Sequence, residues 1–166
     1  MKITNIKLSS MMFIEWFIWG AWFVPLWQIL NTNGFTPTEI AWSYACTAIA
    51  AILSPILVGS ITDRFFAAQK VLSVMLIAGA VLMYLAAQQT EFATFFPLLL
   101  LYSLTYMPTI ALTNSIAFSN VEDVERDFPR IRVMGTIGWI ASGIAIGFLP
   151  GWLGYGDISS SNIPLI

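Results

Sequence analysis

Apolar residues in this chain come in long runs separated by short polar segments. The runs extend roughly over Leu8–Leu30, Glu39–Ile61, Val71–Ala87, Thr94–Phe118 and Arg132–Leu149. Crossing about 30 Å of hydrocarbon takes about 20 helical residues at about 1.5 Å each. Each run therefore predicts one membrane-spanning helix. The third and fifth are slightly short and borrow from their flanks, the fifth helix starting near residue 130 behind Pro129. Pro25, Pro55 and Pro108 fall inside the first, second and fourth runs. Each removes a backbone hydrogen bond and predicts a kink. The pattern specifies an all-α integral membrane protein of five spans. The first run follows Lys2 and Lys7 as a signal peptide would, but it is too long for a signal core. No small-residue cleavage pattern closes it, so it reads as a retained span.

Composition supports this class and removes others. Of 166 residues, 58% are hydrophobic and only 10% charged, and mean hydropathy is +0.79. A soluble domain is about a quarter charged. The net charge of −2 argues against a nucleic-acid partner. The absence of histidine removes Ser-His-Asp and Cys-His catalysis and histidine-based metal sites. The runs hold neither a paired-carboxylate motif nor a metal-ligand cluster, so no enzyme, metal or cofactor is expected. The single Cys46 lies in an apolar run and reads as a small buried residue.

The seven Lys and Arg residues fix an expected orientation. They cluster at the N-terminus (Lys2, Lys7), the second loop (Arg64, Lys70) and the fourth loop (Arg126, Arg130, Arg132). Five crossings bring these segments to one side, which the positive-inside rule makes cytoplasmic. The N-terminus is then inside and the tail 150–166 outside. Trp27, Trp42 and Trp152 fall near the outer interface, as aromatic belt residues do. The tail turns apolar at Ile163-Pro-Leu-Ile166, like the approach to a sixth span. The chain is expected to be part of a longer protein, with a complete five-span protein as the alternative.

Polar groups inside the runs carry the candidate chemistry. Glu15 lies eight residues past Lys7, about 12 Å along a helix. A carboxylate there must be protonated, paired or wet. It reads either as a proton-responsive or substrate-facing acid or as a structural one, with Trp19 and Trp22 on its face. Asn114 in the fourth run either lines a cavity or bonds a neighbouring helix. In the fourth loop, Glu122, Asp123 and Glu125 read as solvated, and Asp127 and Pro129 as the N-cap-region acid and first-turn proline of the fifth helix. In that helix Arg132, Thr136 and Trp139 fall at i, i+4 and i+7 and share a face. Gly135 and Gly138 lie beside them, and Gly143 and Gly147 continue as a small-residue pair for helix packing. A guanidinium fork, a hydroxyl and an aromatic plate suit a small polar ring compound. The bland alternative is that Arg132 snorkels to headgroups, as Arg130 is expected to do.

Three stretches carry a family resemblance. Gly59-x-x-x-Asp63-Arg64 is similar to the loop motif of the major facilitator superfamily. Tyr106-Met-Pro108-Thr with Leu112-Thr-Asn114 and Phe128-Pro-Arg-Ile-Arg132-x-x-Gly-Thr-Ile-Gly-Trp139 resemble the fourth and fifth helices of its nucleoside:proton symporter family. The resemblance covers essentially the whole chain and implies the N-terminal part of a six-helix half-bundle. It implies a proton-coupled nucleoside transporter of the inner membrane, working with a C-terminal half by alternating access. By the same resemblance Arg132, Thr136 and Trp139 line the nucleoside site, and Gly59, Asp63 and Arg64 belong to a cytoplasmic latch. The loop departs from the superfamily pattern: Phe66 stands where a second glycine is usual and Ala67 where a basic residue often follows. Oligosaccharide:proton symporters share the Arg-x-x-Gly-x-x-Gly-aromatic pattern, so a sugar symporter is the alternative substrate class. A small membrane protein of structural or assembly role is the alternative of another kind.

Overall fold

The computed structural model describes the backbone of residues 3–62 and 67–152, and side chains over 3–53 and 67–148. Its regular structure is helical: α1 (Ile3–Phe23), α2 (Leu26–Thr32), α3 (Pro37–Thr62), α4 (Ala68–Ala87), α5 (Phe92–Asn120) and α6 (Val124–Trp152). Among the described residues four stretches are long and apolar enough to cross a membrane: Ile3–Thr32, Ala68–Ala87, Phe92–Asn120 and Val124–Phe148. At 26 residues, α3 also has the length. Pro25 does more than kink the first run. The helix stops at Phe23 and restarts at Leu26, because proline supplies no N–H to continue the ladder. Around Pro108, α5 stays continuous.

The chain forms two compact units. One holds α1, α6 and the end of α5 from Thr113; the other holds α3, α4 and α5 up to Leu112.

In the first unit α1 and α6 lie side by side and parallel. Asn5 reaches Asp127, and Phe13 and Gly20 abut Gly138 and Ser142 respectively. Two parallel neighbours require an odd number of crossings between them. Their approach depends on missing side chains. A Cβ at Gly138 would overlap the Phe13 carbonyl oxygen and lie 3.0 Å from its carbon, and one at Gly20 would overlap the Ser142 hydroxyl. Backbone cannot rotate aside, so Gly138→Ala is expected to force the helices apart. The expected loss is about 1–3 kcal/mol, seen as a lower thermal unfolding midpoint of the full-length protein in detergent. Gly143→Ala is the control. Gly143 and Gly147 meet nothing within 4 Å among the described residues, where the close approaches of α1 and α6 are at Gly20, Gly135 and Gly138.

The start of α6 also differs from expectation. It begins at Val124, not near residue 130. Asp123, expected to be merely solvated, is the cap: its Oδ1 accepts the Arg126 backbone N–H at 3.1 Å. Asp127 sits a turn inside and buried. Its carboxylate accepts Arg126 Nε at 3.0 Å and Asn5 Nδ2 at 3.3 Å. Pro129 is in the second turn. Arg132 is thus eight residues into α6, about 12 Å from its start.

The second unit shows how a short polar segment turns the chain. Gly34 has φ +83°, a conformation glycine adopts without a Cβ penalty. Gly34 N–H bonds Asn31 O at 3.1 Å and Phe35 N–H bonds Leu30 O at 3.1 Å, which together close the end of α2. Thr36 then caps α3. Its N–H and hydroxyl each donate to Glu39 at 2.8 Å, while Glu39 N–H donates back to the Thr36 hydroxyl. Phe35 and Ile40 are both buried across this start. Further along, Gly79 of α4 lets α5 close in: a Cβ there would meet Thr105 Oγ1 at 3.4 Å and Tyr102 Cε2 at 3.6 Å.

Candidate functional site

The α1–α6 pair builds an aromatic cluster around the expected face of α6. Trp139 meets Trp19 edge-on at 5.2 Å between ring centroids, Trp16 at 6.3 Å and Phe23 at 6.0 Å. Trp16 and Trp19 also touch, at 5.2 Å. These α1 aromatics recur at i, i+3 and i+7, so one helical face presents all three. Gly135 and Gly138 hold the backbones close enough for the rings to interlock.

Arg132 joins this cluster through its charge. Its guanidinium carbon lies 4.1 Å from the centre of the Trp16 ring. A ring face attracts a cation by its quadrupole. Among the described residues Arg132 has no ion pair, and Glu15 is not its partner. The donor edges of the fork therefore remain available. Thr136 is exposed and shares an open cavity of about 270 Å³ with Trp16, Trp19 and Trp139. The indole N–H groups of Trp16 and Trp19 are buried with no hydrogen-bond acceptor among the described residues, and such donors are costly to leave unmet. Arrayed this way, the site can hold a flat polar molecule: stacking from the rings, directed donors from Arg132, a hydroxyl from Thr136. Ligand pockets are commonly about 300–1,000 Å³, so this cavity has the scale of part of a site.

Glu15 and Asn114 are not among the residues that line that cavity. Glu15 is 3% exposed, on the buried stripe of α1 with Leu8 and Met12. Asn114 is half-buried, and its Oδ1 has no hydrogen-bond partner among the described residues. Gly59 falls near the end of α3, where side-chain surroundings are not described. Asp63 and Arg64 lie outside the described residues. Reading the sequence from α6 missed Trp16 and Phe23. The signal was present, since Glu15-Trp-Phe-Ile-Trp-Gly-Ala-Trp-Phe23 is dense in aromatics at helical spacing.

Comparison with known proteins agrees with this architecture. Residues 1–166 match the family described as Nucleoside H+ symporter. The chain is 80% identical over 163 residues to the Escherichia coli K12 protein YegT, covering 98% of this chain and 38% of that protein. It is 34% identical over 148 residues to the xanthosine permease of the same organism, covering 86% and 35%. The crystal structure of the nucleoside transporter NupG superposes with a TM-score of 0.84 at 29% identity, covering 96% of this chain and 39% of that one. The chain thus spans about two fifths of the length of these relatives.

Proposed function

Because the chain belongs to the nucleoside H+ symporter family, a family of transporters and not of enzymes, we propose that the full-length protein carries nucleosides across the inner membrane with protons. The observation that carries this reading is the open cavity that Thr136 and Trp139 share with the α1 aromatics, with Arg132 stacked on one of them, Trp16. Trp139 stacks on the base or ribose, a contact typically worth about 1–3 kcal/mol per base. Arg132 donates to acceptor oxygens or nitrogens, and Thr136 supports it. A C-terminal half supplies the rest of the site, and the two halves rock around it so that it opens to each side in turn. Asn114, whose Oδ1 has no partner among the described residues, is the further cavity-lining candidate. The N-terminus is cytoplasmic, and Gly59, Asp63 and Arg64 contribute to the latch on that side.

The test uses inverted or right-side-out vesicles containing the full-length protein and radiolabelled uridine. Uptake that rises with an inward proton gradient and collapses with a protonophore is the expected result. Excess unlabelled nucleosides should compete and excess sugars should not. Competition by oligosaccharides alone would move the protein to the sugar symporters.

A further inference from the structure

We propose that Trp16 of α1 positions Arg132 for its ligand: the indole face carries the guanidinium while leaving the N–H edges of the fork open to a polar, ring-bearing substrate. The inference deepens the reading above and rests on Arg132 as a substrate contact. Arginine ends a long flexible side chain, and holding it in one geometry costs entropy. A carboxylate partner would hold it but consume the donors that a substrate needs. A ring face holds it through the π-system and leaves the in-plane donors unspent. The structure has that second arrangement, with the guanidinium carbon 4.1 Å from the Trp16 centroid and no ion pair to Arg132 among the described residues.

Space for the stack is provided by Gly135. A Cβ there would lie 2.6 Å from Trp16 Cδ1 and 2.9 Å from Arg132 Nη1, so a methyl group displaces one or both. Trp16 is in turn braced by Trp19 and Trp139. A ligand that stacks on Trp139 therefore presses on the same cluster that aims Arg132. This makes α1, through Trp16, part of what selects the substrate.

The experiment measures KM and Vmax of [³H]uridine uptake by the full-length protein in proteoliposomes, per mole reconstituted. Trp16→Leu, which keeps an apolar side chain but removes the ring, is expected to raise KM about 3–30-fold, the span of a cation–π contact from exposed to desolvated, with Vmax little changed. Trp16→Phe keeps a ring face and should stay within about threefold of the parent. In an Arg132→Ala background Trp16→Leu should add nothing. Should Trp16→Leu fail to reconstitute, Gly135→Ala retains both residues and is expected to raise KM by displacing the stack. A parental KM in Trp16→Leu overturns the proposal. So does equal damage by Leu and Phe, or full additivity with Arg132→Ala. A parental KM in Arg132→Ala alone strikes instead at the site assignment, which is a separate outcome.

Discussion

Arg132→Ala is expected to weaken nucleoside binding to the full-length protein by about 10–150-fold, corresponding to about 1.5–3 kcal/mol for hydrogen bonds from a charged donor. The guanidinium has no ion pair among the described residues and rests on the Trp16 ring. Removing it should leave the stability of the α1–α6 pair largely intact while removing the directed donors of the site. The decisive comparison is Arg132→Lys, which keeps the positive charge but loses the planar fork. If affinity depends on charge alone, lysine restores it. If it depends on two parallel donors, lysine remains close to alanine. Equilibrium binding of labelled uridine in detergent measures both variants without the complications of transport. Unchanged affinity in both would mean that Arg132 serves the lipid headgroups and not the substrate.

The second large effect is expected at Glu15. Glu15→Gln should abolish accumulation of nucleoside against a gradient while preserving downhill exchange, a loss of coupling and not of binding. At 3% exposure on a span-forming helix, its carboxyl is too costly to bury charged without compensation. Glutamine preserves size and hydrogen-bonding capacity but has no proton to release. Counterflow and proton-driven uptake measured on the same proteoliposomes separate the two activities. A glutamine variant that still concentrates uridine under an inward proton gradient would remove Glu15 from the coupling path and leave it a structural acid.

The membrane class was legible because hydrocarbon thickness imposes a run length that composition cannot hide. The face of Arg132, Thr136 and Trp139 was legible because helical periodicity is local. Three features were less so, for physical reasons. The break at Val24–Pro25 depends on whether the turn before a proline can close, and Pro25 and Pro108 look alike in sequence but end differently. The start of α6 turns on which acid points back at a free N–H. Asp123 does so, although Asp127 stood in the more suggestive place beside Pro129. Gly143 and Gly147 showed the spacing of a packing pair. Which side of a helix meets a neighbour is set by the partner, and α1 chose the side of Gly135 and Gly138.

The parallel pairing of α1 and α6 also has a consequence for biogenesis. Gly138 is 125 residues downstream of the Phe13 against which it packs. At roughly 5–20 residues per second on the ribosome, α1 waits about 6–25 s for its partner. During that interval its Gly20 notch and the rings of Trp16, Trp19 and Phe23 enter the bilayer without the helix that later covers one side of them. The first helix made is therefore one of the last to be seated, and its early residence depends on the insertion machinery or lipid to shelter a surface shaped for α6.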